Sequence, residues 1–171
     1  QAVRDGDDFP QLVNQTLNVC VRLKPSASDL AASDPAALDS AASVPASRYA
    51  IIPFGRSAHR FVTVHAEKGY AYTLLEDVVA TFPQLVFPGE ETVECVPFRI
   101  TRNADMSVRD DLAGDLMSEI EDALDARKQS GCVRLEIAAH ASKETKAFLQ
   151  MALGVTKEQV YPCPGPIDLS A

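Results

Sequence analysis

A chain of 171 residues is the length of one ordinary domain, and with 46% hydrophobic residues it can bury a core without help from a disulfide or a metal. A formal net charge of −8 excludes a general nucleic-acid coat, because phosphate backbones attract a basic excess; one local basic pocket stays open. The four cysteines show no CxxC spacing, no apolar run nears the ~20 residues of a membrane span, and no basic-then-apolar leader opens the chain, so a reduced, cytoplasmic setting is expected.

The N-terminal "QAVRDGDDFP" and the closing "GPIDLSA" both read as pieces cut from the interior of a longer protein. The first clear element is "QTLNVCVRL". Leu17, Val19, Val21 and Leu23 share one face and Asn18, Cys20 and Arg22 the other, the pattern of a half-buried strand. Residues 25–47 are almost wholly Ala, Ser, Asp and Pro and offer no large apolar face, so a solvated, mobile loop insertion is expected there. "RYAIIPF" and "RFVTVH" read as strands joined by "GRSAH", and "GYAY" as a third short strand. "TLLEDVVATFP" predicts a short helix with a capping box between Thr73 and Glu76, an apolar stripe of Leu75, Val78, Val79 and Phe82, and a stop at Pro83.

"ETVECVPFRITR" is the next strand, with Val96, Phe98 and Ile100 alternating with Pro97, Arg99 and Thr101; the proline predicts a bulge or a strand entry. After "NADM" the spacing of Leu112, Leu116, Ile120 and Leu124 predicts the longest helix, capped by Ser107 and stopped near Gly131. Its carboxylates fall mostly on the outer face, the mark of a solvated surface. "CVRLEIAAH" predicts a strand with Val133, Leu135 and Ile137 inward, "SKETKAFLQMALG" a capped helix ending at Gly154, and "QVYPCP" a last short strand. Strand, long helix, strand from Val93 to Ala138 reads as a right-handed βαβ unit with parallel strands. The fold class is α+β: one domain over 1–171, a mixed β-sheet with helices packed on it. Cys20, Cys95 and Cys132 lie in or beside apolar strands and read as buried thiols.

The functional reading turns on "FRITRNAD", Phe98 to Asp105, where two arginines and an acid stand at the end of a predicted buried strand. Arg99 and Arg102, with Arg134 on the neighbouring strand, are candidates for gripping phosphate at a strand end beside a helix N-terminus. The structural alternative pairs Arg99 with Glu136 across the strands and Arg102 with Asp105 in the turn, as interface or register contacts. The acidic first turn of the predicted long helix, Asp110 and Asp111, favours pairing over anion capture. His59, His65 and His140 are scattered and lack metal-ligand spacing. No phosphate-binding glycine loop and no nucleophile–base set is legible, so neither catalytic nor metal residues are assigned.

Five strings then form an ordered pattern. "FPQLVNQTLNVCVRL", "RFVTVH", "FRITRNADMSVRDD", "RKQSGCVRLEI" and "GPIDLSA" resemble, in order, the blocks of the middle or head region of bacterial polyphosphate kinase, the type phosphorylated on histidine. That resemblance implies an enzyme that transfers the terminal phosphate of ATP to polyphosphate through a phosphohistidine. It implies an N-terminal helical domain, this middle domain, and two catalytic domains resembling phospholipase D. ATP and magnesium would be bound by the other domains, with no cofactor in this piece, which alone would be inactive. The implied partners are the N-terminal and catalytic domains of the same chain and a second subunit met through this domain, with polyphosphate as a further contact; nucleic acid and a membrane span are not implied. The parent enzyme would be cytoplasmic or membrane-associated. The alternative reading is a phosphate-handling enzyme such as a phosphohistidine phosphatase using His140 or His59.

Overall fold

In the computed structural model the described residues are 2–3, 9–25, 47–56, 58–103 and 131–168. The strands are β1 (Ala2–Val3), β2 (Leu17–Leu23), β3 (Arg48–Pro53), β4 (Phe61–Val64), β5 (Ala71–Leu74), β6 (Thr92–Arg102), β7 (Cys132–Ala138) and β8 (Val160–Cys163). The α-helices are α1 (Leu75–Thr81), α2 (Pro83–Val86) and α3 (Lys143–Leu153), with a 3-10 turn at Lys157–Gln159. Six strands form a mixed sheet in the order β1-β3-β2-β6-β7-β8, and β4 and β5 form a separate hairpin. The class is α+β, as the sequence predicts. By compactness the chain divides into two units, Gln1–Pro10 with Asn18–Pro97, and Gln11–Leu17 with Phe98–Ala171. Residues 26–46 of the expected loop, and the expected long helix within 104–130, lie outside the described residues.

The first unit is built on β2 and β3, paired antiparallel from Asn18↔Pro53 to Leu23↔Arg48. Val19, Val21 and Leu23 meet Ala50 of β3 and Val79 of α1, with Ile52, Phe54, Phe87 and Cys95 packed around them. The expected half-buried strand is in fact buried on both faces, because Asn18 and Cys20 are also fully covered. Both are small and uncharged, so the second face can be closed over without stranding a charge. Arg22, at its end, is half-buried and reaches Glu94 at 3.9 Å. Two more carboxylates of the same acidic run take cations: Arg48 Nη1 lies 2.8 Å from Glu90, and Lys24 pairs with Glu91 while its N–H donates to the Glu91 carbonyl at 2.9 Å.

The capping box expected at Thr73 and Glu76 does not form. Thr73 is still in β5, opposite Val62, and α1 starts after Leu74 with no side-chain cap. Glu76 is buried, and Arg60 Nε donates to both of its carboxylate oxygens, at 3.0 and 3.2 Å, while Nη2 donates as well. Several charge-assisted bonds from a guanidinium outweigh one local bond to a backbone amide. Pro83 ends α1 as predicted and opens α2 at a position where its missing N–H has no helical partner to lose.

In the second unit, Phe98 and Ile100 of β6 and Leu135 and Ile137 of β7 are fully buried, the alternation the sequence shows. The direction of β7 differs from expectation. β6 and β7 are antiparallel, from Phe98↔Ile137 to Arg102↔Cys132, so Val93 to Ala138 is not a βαβ unit. The Asn103 N–H donates to the Gly131 carbonyl at 3.2 Å, so the chain leaves and re-enters the sheet at the same end. A crossover would have had to deliver it to the opposite end. The βαβ connection lies one step later: β7, α3 and β8, with β7 and β8 parallel from Leu135↔Val160 to Ala138↔Cys163.

The irregularity expected at Pro97 falls instead between Thr101 and Arg102. Pro97 sits just before the ladder with β7 begins at Phe98, so its missing donor costs that ladder nothing. At the irregularity Thr101 faces Arg134 and Arg102 faces Cys132, which leaves Val133 as the extra residue. Val133, expected inward, is accordingly exposed. Helix α3 lies against β7 and buries Thr145, Phe148 and Leu149. Its predicted caps are both present: Ser142 Oγ accepts from the Thr145 N–H at 3.2 Å, and Gly154 closes the helix at φ +63°.

Candidate functional site

Alternation along β6, β7 and β8 separates a buried apolar face from a polar one. The antiparallel register sets Arg99 directly opposite Glu136, and the parallel register sets Glu136 opposite Tyr161, so three strands contribute one row. Arg99 Nε donates to Glu136 Oε2 at 2.6 Å, and Arg134 Nη2 donates to Glu136 Oε1 at 3.0 Å. The Arg134 guanidinium carbon stands 4.3 Å from the centre of the Tyr161 ring, a cation–π contact. Arg99 Nη1 lies 2.9 Å from Asp168 Oδ1. The hydrogen bond from Arg99, with the charges of Arg99 and Arg134, holds the Glu136 carboxyl below the ordinary carboxylate range despite its burial. The bond to Glu136 raises the Arg99 guanidinium in return, with Asp168 adding to it.

The Arg99–Glu136 pair expected from the sequence is therefore present, and Arg134 joins it through the same carboxylate. Two guanidinium groups share the cluster with two carboxylates, a formal sum of zero. Arg102 sits apart at the strand irregularity, where its backbone N–H donates to Asn14 Oδ1 at 2.9 Å. Its expected partner Asp105 lies outside the described residues. Sequence reasoning passed over Tyr161 and Asp168. Tyr161 carried a faint signal, an exposed-phase aromatic on a predicted strand beside Arg134; Asp168 carried none, since its partner lies 69 positions earlier in the chain.

His59 and His65 are exposed on either side of β4, and His140 is exposed in the turn after β7, in the other unit. Among the described residues no three His, Cys, Asp or Glu side chains come together as a metal site. All four cysteines are free thiols, and burial, reinforced by Glu94 and Cys95, pushes the Cys20 thiol far above its ordinary value. No helix among the described residues is long and apolar enough to cross a membrane.

Comparison with known proteins agrees with the sequence pattern. A family model described as the polyphosphate kinase middle domain matches residues 1–171. A polyphosphate kinase of Rhodopirellula baltica is 39% identical over 146 residues, which covers 74% of this chain and 17% of that protein. A polyphosphate kinase of Staphylococcus epidermidis is 35% identical over 163 residues, which covers 95% of this chain and 20% of that protein. The solved polyphosphate kinase of Porphyromonas gingivalis has the same fold over 91% of this chain and 19% of its own length, with a TM-score of 0.57 at 18% identity. The chain thus spans 17% to 20% of the length of these two curated relatives. A single ordered array of blocks, a family match from first residue to last, and an α+β sheet shared with a solved relative lead to one conclusion: this chain belongs to the polyphosphate kinase middle-domain family.

Proposed function

We propose that this chain acts as a non-catalytic middle domain of a polyphosphate kinase, an enzyme that moves the terminal phosphate of ATP onto a growing polyphosphate chain. It holds the N-terminal and catalytic domains of the same polypeptide in register and contributes contacts to a second subunit. ATP and magnesium are bound by those other domains, in the cytoplasm.

The observation that carries this reading is the state of the charges on the polar face of β6–β8. Catalytic and phosphate-binding sites depend on unspent charge aimed at a substrate. Here Arg99 is held between Glu136 and Asp168, and Arg134 between Glu136 and the Tyr161 ring. The same holds for Arg22, Arg48 and Arg60, each facing a carboxylate of its own unit. Such pairs fix strand register and leave the chemistry to other domains. For the subunit contact, the β4–β5 hairpin supplies an apolar surface: Phe61 and Tyr72 stack edge to face at 5.4 Å and, with Tyr70, stand exposed. Its two strands form a sheet of their own, so its outer backbone edges can pair with the same hairpin of a second copy.

The test is to offer the chain labelled ATP and, separately, a phosphohistidine peptide. Neither label transfer nor hydrolysis is expected. Either activity, abolished by His140→Ala or His59→Ala, would replace this reading with that of a phosphohistidine enzyme.

A further inference from the structure

We propose that Ile167 and Asp168 form a clasp, anchored on Arg99, that holds the segment after β8 and opens as a unit separate from the sheet. Strand β8 ends at Cys163, whose carbonyl accepts the last ladder bond, from the Ala139 N–H at 2.8 Å. Pro164, Gly165 and Pro166 follow, and the two prolines have no N–H with which to extend the ladder. The segment is nevertheless held. Ile167 is 3% exposed, and Asp168 Oδ1 meets Arg99 Nη1 at 2.9 Å.

Asp168 also has a φ of +58°, a left-handed conformation that side chains other than glycine seldom adopt. Aspartate tolerates it better than most residues, so the left-handed backbone falls on the residue whose carboxylate is gripped. The hold is separable from the sheet. Arg99 keeps its 2.6 Å bond to Glu136 through Nε whether or not Nη1 has a partner, so opening the clasp leaves the β6–β7 pairing in place. A buried apolar plug and the Asp168–Arg99 ion pair, on a proline-stiffened arm, make a unit that opens as a whole. The clasp stands on this geometry alone and does not depend on the proposed function.

The experiment is hydrogen exchange by mass spectrometry on the full-length protein and its Asp168→Asn variant. Asparagine accepts the left-handed backbone and keeps the shape, so only the charge is removed. Exchange at Gly165, Ile167 and residue 168 is expected to rise roughly tenfold, the scale of one lost charge-assisted bond, while peptides covering Phe98–Arg102 and Cys132–Ala138 keep their protection. Ile167→Ala should release the same amides. An unchanged rate at 165–168 would overturn the clasp. So would an equal rise through β6 and β7, which would mark the pair as general support for the sheet.

Discussion

Replacing Glu136 by glutamine removes the charge that two arginines share, while keeping the shape of the side chain. In the native protein one carboxylate oxygen takes Arg99 at 2.6 Å and the other takes Arg134 at 3.0 Å. The side chains of Glu136 and Arg99 are 11% and 25% exposed, so this bond is largely shielded from water, whereas Arg134 at 47% is well solvated. A glutamine offers one acceptor oxygen and turns an NH₂ group toward the second guanidinium, donor against donor. Weakening the Arg99 bond costs about 1 kcal/mol, the mismatched donors about 1–2 more, and the exposed Arg134 pair under about 1. The sum is about 2–4 kcal/mol, which for a protein of this size lowers the melting temperature by roughly 4–16 °C.

The pH dependence gives an independent check. The folded-state pKa of Glu136 lies below its ordinary value of 4.5, so its contribution is present in full above that value and is lost as pH falls through the depressed pKa. The Gln variant has no such group. The gap between the two proteins should therefore be widest near neutrality and should close below pH 4.5. Urea denaturation at a series of pH values measures both quantities. A loss under about 0.5 kcal/mol at neutral pH, the range of ordinary surface substitutions, or a gap that widens in acid, would refute the reasoning.

Other parts of the fold give sharper single tests. Arg60→Ala leaves the buried Glu76 carboxylate without its guanidinium, and a loss of about 3–5 kcal/mol by urea denaturation is expected. Gly154→Ala meets no atom within 4 Å of the added Cβ, so its cost is that of the left-handed backbone alone, about 1–2 kcal/mol by the same assay. Cys20 is fully buried with a raised pKa, and it should resist alkylation at mildly alkaline pH until the protein unfolds, while the less buried Cys163 is modified in the native state.

What could be read from the sequence was mostly local. The period-two burial of Val96, Phe98 and Ile100, and the caps Ser142 and Gly154, depend on residues a few positions apart, and all are found in place. The Arg99–Glu136 pair was legible as well, since opposite charges in the outward phase of adjacent strands have little else to meet. What could not be read depended on distant partners. Thr73 and Glu76 make an acceptable capping box in isolation, but Arg60 takes the carboxylate once β4 is folded beside α1. The direction of β7 was hidden because a connection of this length serves a crossover and a return to the same end equally well. Val133 fits the apolar phase of its strand, and only the ladder irregularity at Thr101 and Arg102 turns it outward.

The claim that bond-making happens outside this domain rests on the carboxylate partners of Arg22, Arg48, Arg60, Arg99 and Arg134. Its most direct test is to replace His59, His65 and His140 together by alanine in the full-length protein and to measure polyphosphate synthesis from ATP. The account predicts a rate within about twofold of the unaltered enzyme. A fall of ~100-fold or more, the scale of a lost nucleophile or general acid–base group, would contradict it.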